Sequence, residues 1–243
     1  MARNTSQGTK KIRQSRKERR RKARQRQQLR LLGIVAVIAA VFAALLIYPN
    51  VAPITNIVEV ELQEYPNPDG REMGDPDAPV VIEVFEDFQC PACAFFNEDL
   101  KGEIITNFVE TGQARLVFRN FPFLDDRVPG SESDQAANAA LCAAEQDRFW
   151  DYHDMLFANQ NGENRGAYAD RRLIAFADTI GLEESQFRSC FNESRYQSTL
   201  DADIALAQEY VVTGTPSVHV NGAKVTTNLA SITAAVNAAL PSE

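Results

Sequence analysis

Cysteine and histidine are both scarce in this sequence of 243 residues, which contains four cysteines and two histidines. A structural zinc site needs closely spaced ligands, usually in two short pairs. Only Cys90 and Cys93 are closely spaced here, whereas Cys142 and Cys190 lie 48 positions apart. Neither histidine stands at ligand spacing from a cysteine. We therefore predict no metal site and no cofactor.

Basic residues are scarce outside the first 30 positions, and charge is absent from the stretch that follows. Residues 1–30 hold 13 Lys and Arg against one acid, whereas the other 213 residues hold 12 basic and 32 acidic side chains. Residues 31–48, LLGIVAVIAAVFAALLIY, carry no charge. As a helix they span roughly 27 Å, close to the hydrocarbon thickness of a bilayer. A buried core helix would show a polar face, so we predict a transmembrane segment.

The alternative to a membrane anchor is a cleaved signal peptide. No Ala-x-Ala triplet closes the apolar run, and a basic leader of 30 residues is long for a signal peptide. The paired arginines suggest a twin-arginine signal but lie far before the run. We therefore predict a single-pass signal anchor in the cell membrane, with residues 1–30 in the cytoplasm and the acidic remainder outside it.

The basic tail, residues 1–30, has two possible partners. A run of Lys and Arg binds nucleic acid without specificity through phosphate contacts. It also binds the anionic lipid of a neighbouring membrane. No aromatic residue is interleaved with the charges. We therefore expect the tail to contact membrane lipid and no specific nucleic acid.

The residues after the membrane segment predict a tether and then an α/β domain. Residues 49–79 contain six prolines, and only IVEVELQEY, residues 57–65, alternates as a short edge strand does. PVVIEVFEDF, residues 79–88, reads as a central strand. A CxxC pair follows, then a helical pattern that ends at Gly112, and then a second strand, ARLVFRNFPF. This order describes a βαβ unit with the cysteines at the start of its helix.

A helical block, residues 131–210, interrupts the predicted α/β domain. The chain then returns to β structure with PSVHVNG, residues 216–222, followed by a turn, by AKVT and by a closing helix, LASITAAVNAAL. His153 lies in the helical block and His219 in the returning strand. We expect both histidines to be structural.

The position of Cys90 and Cys93 favours redox chemistry. The unpaired N–H groups and the dipole of a helix N-terminus stabilise an anion, so a thiolate at Cys90 is favoured and its pKa is lowered. Pro91 fits the first helical position, where its missing N–H is not needed. Cys93 lies one turn further and is expected to be more buried than an exposed Cys90. Such a pair suits thiol–disulfide exchange.

At this point the sequence resembles the DsbA-like branch of the thioredoxin superfamily. FEDFQCPAC after a strand, GDPDAP upstream, CAAEQDRFWDYHDMLF in the helical block and TGTPSVHVNG near the C-terminus carry the likeness, which covers about residues 73–240. It implies a thioredoxin-like fold with an inserted helical block, here preceded by one transmembrane helix. We place the tether at residues 49–72 and the redox domain at 73–243, with the insertion at about 131–210.

The resemblance also implies roles for four further residues. The Thr215–Pro216 bond is expected to be cis and to pack against the sulfurs, with the backbone of Thr215 pairing with a substrate chain. Cys142 and Cys190 are expected to form a structural disulfide, which an oxidising compartment permits. The alternative is two buried free thiols.

The sequence departs from this family at one position. Members usually carry a buried acid six positions before the first cysteine, and that position is Val84 here. Glu83 and Glu86 flank it. Either Glu83 takes the role through a shifted strand, or proton transfer relies on water.

The function implied by the resemblance is that of a membrane-tethered extracytoplasmic oxidoreductase that forms disulfides in exported proteins with free thiols. A membrane partner of the DsbB or vitamin K epoxide reductase type is expected to reoxidise it, and the chain is expected to be a monomer. Two alternatives stay open: an isomerase or reductase kept reduced by a membrane electron donor, and a non-catalytic tethered chaperone.

Overall fold

The computed structural model describes residues 27–28, 30–48, 54, 56–127 and 129–241. The predicted basic tail lies almost wholly outside the described residues, as do positions 49–53 and 55 of the predicted tether. The chain divides into two units, Met1–Pro53 and Ile54–Glu243.

The first unit contains one long apolar helix, α1, over Arg30–Tyr48. The helix has 19 residues, its most apolar window of 18 has a mean hydropathy of 2.9, and none of that window is buried against other parts of the protein. The helix is long and apolar enough to cross the hydrocarbon core of a bilayer. By length and composition it fits a membrane anchor or a signal sequence.

A five-stranded mixed sheet forms the centre of the second unit. Its strands are β1 (Glu72–Met73), β2 (Val80–Glu86), β3 (Ala114–Asn120), β4 (Ser217–Val220) and β5 (Ala223–Val225). Their spatial order is β1-β3-β2-β4-β5. Strands β2 and β3 are parallel over seven residue pairs, from Val80 beside Ala114 to Glu86 beside Asn120, and the other neighbours are antiparallel. The sheet therefore places β2, which precedes the CxxC pair, at its centre.

The connection between the two parallel strands is helical, as the sequence predicts. It consists of α2 (Pro91–Asp99), α3 (Lys101–Ile104) and a π-helical turn (Ile105–Val109). Gly112 closes it with a φ of 71°, a conformation that glycine adopts without strain. The predicted βαβ unit is thereby confirmed, with the cysteines at the start of α2.

The predicted helical block is also confirmed and contains five helices. They are α4 (Glu132–Ala144), α5 (Phe149–Ala158), α6 (Asp170–Thr179), α7 (Glu184–Asn192) and α8 (Gln197–Glu209). The closing helix, α9 (Leu229–Ala239), begins at Asn228, whose side chain accepts a hydrogen bond from the Ser231 N–H at 2.8 Å. Trp150 of α5 donates to the Glu72 carbonyl at 3.2 Å and so joins the block to the edge of the sheet.

The strand predicted over residues 57–65 is wrong. Within the described residues 56–65 the chain forms no strand, and the short edge strand is Glu72–Met73 instead. The N–H and carbonyl of Val58 both bond to the side chain of Asn159, each at 2.8 Å. The Val58 backbone is thus bonded to a side chain and not to a strand, β1 occupies the place beside β3, and Val58 and Leu62 remain exposed.

Candidate active site

The CxxC pair lies where the central strand gives way to α2. Cys90 is the N-cap residue of α2, and its carbonyl accepts from the N–H groups of Cys93 at 3.1 Å and Ala94 at 3.2 Å. Pro91 is the first helical residue, as predicted. The sequence folds this way because proline fits the first turn, where its missing N–H leaves no carbonyl unpaired.

Both sulfurs belong to free thiols, and they differ in burial less than we expected. Cys93 is fully buried, and Cys90 is only 7% exposed. The expectation of an exposed Cys90 is therefore wrong in degree. The reason is a small cluster in which Phe123, Leu124 and Phe157 pack around the pair.

The surroundings of Cys90 favour its thiolate. Its pKa is lowered from 9.0 to about 6, first by a hydrogen bond from the Cys93 thiol, which outweighs the effect of burial. The Thr215 side chain and the N–H groups of Ala92 and Cys93 add to the shift. The helix terminus thus acts as predicted, and most Cys90 is ionised at neutral pH.

The surroundings of Cys93 have the opposite effect. Burial raises its pKa well above 9.0, and the hydrogen bond to Cys90 and the charge of Glu86 raise it further. Cys93 therefore stays a thiol when Cys90 is a thiolate. The pair combines one ionised sulfur with one protonated sulfur.

The acid beside Cys93 is Glu86, which is 2% exposed. Asn97 joins the two residues, because its Nδ2 donates to Glu86 Oε2 at 3.0 Å and to the Cys93 carbonyl at 3.0 Å. Glu86 follows Val84 by two positions on β2, so both side chains point to the same face of the sheet. Glu86 is thus two positions closer to Cys90 in the sequence than the acid of the family pattern.

Glu83 does not take this role. It lies on the opposite face of β2, where its Oε1 accepts from Arg119 Nη2 at 2.7 Å. Tyr210 donates to its other oxygen at 3.2 Å. A carboxylate engaged on that face does not approach the sulfurs.

The loop before β4 closes the site from the other side. The Thr215–Pro216 bond is cis, as the resemblance implies. When Cys90 carries its proton, its Sγ donates to the Thr215 carbonyl oxygen at 3.4 Å. The Thr215 hydroxyl is buried and has no hydrogen-bond partner among the described residues. It is therefore available to a Cys90 thiolate, in line with its effect on the Cys90 pKa.

Residues that the sequence reading missed hold the turn between β2 and α2. Gln160 donates to the carbonyls of Phe88 at 2.7 Å and Cys90 at 3.1 Å, and the Tyr168 hydroxyl donates to Phe88 at 2.8 Å. Both side chains come from the connections after α5, so the helical block positions the redox pair directly. No local motif marks either residue, because their contacts span more than 70 positions.

Asp87 also holds the turn between β2 and α2. It accepts from the Ser133 hydroxyl at 2.7 Å and from the N–H groups of Gln89 at 2.8 Å and Leu124 at 3.1 Å. Burial nevertheless raises its pKa from 3.8 to about 6. Its Leu124 contact ties the loop that covers the cysteines to the strand end that carries them.

The other two cysteines form a separate feature. Cys142 of α4 and Cys190 of α7 are joined by a disulfide with Cα atoms 5.7 Å apart. Both residues are at most 1% exposed. The structure therefore has the bridge, and not the alternative of two free thiols.

Comparison with known proteins identifies the fold and its chemistry. A thioredoxin family matches residues 66–238. The chain belongs to the thioredoxin family. It is a DsbA-like protein thiol–disulfide oxidoreductase, so the predicted enzyme class and the thioredoxin-like fold are confirmed.

Three relatives of this DsbA-like chain illustrate the match. A probable disulfide bond formation protein D from Bacillus cereus is 29% identical over 156 residues, which are 63% of this chain and 70% of that protein. BdbD from Bacillus subtilis, in its oxidised crystal structure, has a TM-score of 0.62 at 23% identity and covers 76% of this chain and 98% of its own. Reduced DsbG from Mycobacterium tuberculosis has a TM-score of 0.55 at 26% identity, and the match covers 70% of this chain and 86% of that one.

Proposed function

We propose that this DsbA-like chain is a membrane-tethered enzyme that forms disulfides in exported proteins through the Cys90–Cys93 pair. The observation that carries the proposal is the asymmetry of the pair. Cys90 has a pKa of about 6, whereas burial holds the pKa of Cys93 well above 9.0. A stabilised Cys90 thiolate favours the reduced enzyme, which makes the oxidised enzyme a stronger oxidant.

The first step is attack by a substrate thiolate on Cys90 Sγ of the oxidised pair. The Cys90–Cys93 bond breaks, a mixed disulfide forms at Cys90, and Cys93 leaves with the electron pair. Cys93 then takes a proton, for which Glu86 is the neighbouring acid. A second substrate thiolate attacks the substrate sulfur of the mixed disulfide, and Cys90 leaves as the stable thiolate. The substrate has lost two electrons, and the enzyme has gained them.

The substrate is proposed to bind beside the loop before β4. The resemblance assigns the backbone of Thr215 to pairing with an extended substrate chain, and Pro216 to contact with the sulfurs. The Thr215 carbonyl lies 3.4 Å from Cys90 Sγ, which supports this assignment. Phe95, one turn into α2, is 64% exposed and offers an apolar contact next to the pair. Unfolded chains with exposed apolar side chains suit such a surface.

The membrane arrangement is part of the same proposal. Helix α1 would anchor the chain, residues 1–30 would lie in the cytoplasm against anionic lipid, and the redox domain would lie outside. A membrane partner of the DsbB or vitamin K epoxide reductase type would reoxidise Cys90 and Cys93. The domains would be the tail, 1–30, the anchor, 31–48, the tether, 49–72, and the redox domain, 73–243, acting as a monomer.

The direction of exchange is tested by equilibrating the protein with glutathione at pH 7 and quantifying the Cys90–Cys93 disulfide. We expect a potential more positive than about −200 mV, as for strong thiol oxidants. The oxidised protein should also introduce disulfides stoichiometrically into a reduced, unfolded client. A potential near the thioredoxin value of about −270 mV would instead assign a reductase. No exchange with the client at all would leave only a chaperone.

The topology is tested with protease added to cells whose outer envelope is permeable. The redox domain should be degraded, and the tail spared. Recovery of a soluble form that begins near residue 50 would show that the segment is cleaved.

A further inference from the structure

A buried histidine lies next to the Glu86 carboxyl group. His153 of α5 is 1% exposed, and its Nε2 is 3.8 Å from Glu86 Oε2. Both side chains line a narrow cavity together with Asn97 and Lys101. These four polar side chains come from β2, α2, α3 and α5. The other polar group of the lining, the Trp150 N–H, donates to the Glu72 carbonyl. The Glu86 carboxyl therefore lies between the Cys93 side of the site and an imidazole.

Aromatic packing fixes the orientation of this imidazole. The rings of Phe88, Phe118, Trp150 and Phe157 have centroids 5.0–5.8 Å from that of His153. The Nε2 atom is buried and has no hydrogen-bond partner among the described residues. An unpaired buried polar atom is costly, and its retention in a native structure calls for an explanation. The nearby Glu86 carboxyl supplies one, since a small side-chain shift brings the two atoms within hydrogen-bond distance.

The other ring nitrogen, Nδ1, contacts a partly exposed carboxylate. His153 Nδ1 lies 2.9 Å from Asp154 Oδ1. Burial alone would raise the pKa of Asp154, but the hydrogen bond and charge of His153 and Lys101 hold it below the ordinary value. Asp154 is therefore a carboxylate, which only accepts hydrogen bonds, so Nδ1 carries the proton. The other ring nitrogen, Nε2, faces Glu86 Oε2 across 3.8 Å.

Asp154 is the exposed end of this series of groups. Its side chain is 18% exposed and bonds to both Lys101 and Tyr65. It also lines an open surface groove of about 540 Å³ that includes Glu61 and Glu98. Solvent protons can therefore reach the Asp154 side of the ring, although Cys93 itself is fully buried.

We propose that Glu86, His153 and Asp154 form a proton path between buried Cys93 and the surface groove, with His153 acting through Glu86 as a positioning residue. The inference rests on the proposed function, because it needs Cys93 to change its protonation during exchange. When Cys93 leaves as a thiolate, one proton moves from the Glu86 carboxyl to Cys93 Sγ. Glu86 regains a proton from Nε2–H of His153 while Nδ1 accepts a solvent proton from the groove side, which leaves His153 with its proton on Nδ1. Reoxidation runs the same transfers in reverse, so protons and charge balance.

The test uses Ellman's reagent, 5,5′-dithiobis(2-nitrobenzoate), because its two steps separate the two cysteines. In the first phase the Cys90 thiolate attacks the reagent, forms a mixed disulfide and releases one thionitrobenzoate. In the second phase Cys93 loses its proton and attacks Cys90 Sγ, which releases the other thionitrobenzoate and closes the Cys90–Cys93 bond. Stopped-flow absorbance resolves both rates on the reduced protein from pH 5 to 9.

Glu86→Gln should slow the second phase about a hundredfold at pH 7, and His153→Phe about tenfold, as expected when a proton acceptor or its partner is lost. The first phase should be unchanged in both. His153→Phe should also move the pH profile of the second phase to higher pH. The double variant should be no slower than Glu86→Gln, since residues that act in series are not additive.

Two variants keep the test independent of folding. Tyr152→Phe is the matched control, because it removes a buried hydrogen bond from the same helix, to the Leu173 carbonyl, without contact to Glu86. It should leave both phases unchanged. Asp154→Asn preserves shape and should slow the second phase, though less than His153→Phe.

The outcomes separate the two proposals. A wild-type protein without a second phase would count against the proposed function and the path together. A normal wild type with an unaltered second phase in His153→Phe, or with both phases slowed equally, would overturn the path alone. Additive losses in the double variant would also overturn it.

Discussion

The two cysteine pairs of this chain lie in opposite settings. Cys90 and Cys93 lie at the start of a helix, as free thiols near the Glu86 carboxyl group and the Thr215 hydroxyl. Cys142 and Cys190 lie inside α4 and α7, away from the helix starts, and are already bridged. We therefore expect the same side chain to be reactive where backbone N–H groups face it, and inert where it is bridged and surrounded by apolar packing. Position in the fold, and not burial alone, separates the two, since all four cysteines are buried.

The largest difference between the pairs should appear in exchange activity. Cys90→Ala should lower the rate of disulfide transfer to a reduced client about a thousandfold or more, because it removes the attacked sulfur. Cys142→Ala/Cys190→Ala should stay within about twofold of the wild type, because its mutated residues are inert. The rates are measured with oxidised protein and a fluorescent dithiol peptide.

The trapped intermediates sharpen the same comparison. Cys93→Ala should accumulate mixed disulfides with oxidised client proteins on non-reducing gels, because the Cys90 thiolate can attack a client disulfide and no Cys93 thiol is present to release the product. Cys90→Ala should accumulate none. Equal trapping by both variants would contradict the assignment of Cys90.

For stability the larger effect should come from the other pair: losing the Cys142–Cys190 bridge should destabilise the fold more than losing Cys90 and Cys93. The Cys142–Cys190 bridge closes a loop with a sequence separation of 48, and its removal should cost about 4 kcal/mol on the chain-entropy model. For a domain of this size the melting temperature should fall by roughly 10 °C. Calorimetry of Cys142→Ala/Cys190→Ala measures the loss, with Cys90→Ala/Cys93→Ala as the control. A smaller loss than in that control would show that the bridge is dispensable.

Alkylation should distinguish the members of the redox pair. On the reduced, folded protein, iodoacetamide should modify Cys90 with a midpoint near pH 6, the pKa set by Cys93, Thr215 and the helix N–H groups. Cys93 should not react below pH 9, because burial raises its pKa. Peptide mapping by mass spectrometry assigns the label. A Cys90 midpoint above pH 8 would remove the basis for its reactivity.

The smallest expected effect is a pH dependence of stability. The pKa of Cys90 is about 6 in the folded state and near 9 when unfolded, so between these values only the unfolded state binds the proton. The unfolding free energy of the reduced protein should therefore rise with pH between 6 and 9, relative to Cys90→Ala. The gain should vanish below pH 6. Urea titrations of the two proteins at matched pH measure the difference, and parallel curves would contradict it.

Much of this arrangement follows from local sequence. Hydrophobic runs, the CxxC pair with Pro91, and the glycine at Gly112 predict the βαβ unit and place Cys90 at the helix start. These features act over a few residues, so the sequence displays them directly. The family likeness added the cis bond at Pro216 and the Cys142–Cys190 bridge, which spacing alone does not specify.

The remaining features depend on contacts that are distant in sequence. Residues 57–65 alternate as a strand does, yet they form none: β1 takes the place beside β3, and the Val58 backbone bonds to the distant side chain of Asn159. The acid nearest Cys93 is Glu86. The family likeness did not identify it, because the family pattern puts the acid at position 84, and Glu86 lies two positions further along the same face of β2. Gln160 and Tyr168 carry no signal, since only the packed helical block brings them to the turn.

We propose that the Cys90–Cys93 pair exchanges electrons with substrates and that the Cys142–Cys190 pair holds the fold together. Gentle reduction of the oxidised protein, followed by thiol labelling and peptide mapping, tests it most directly. We expect two labelled thiols, at Cys90 and Cys93, over a wide range of reductant concentration. The Cys142–Cys190 disulfide should open only when the protein is denatured. Labelling of Cys142 or Cys190 first, or of all four cysteines together in the folded protein, would contradict the claim.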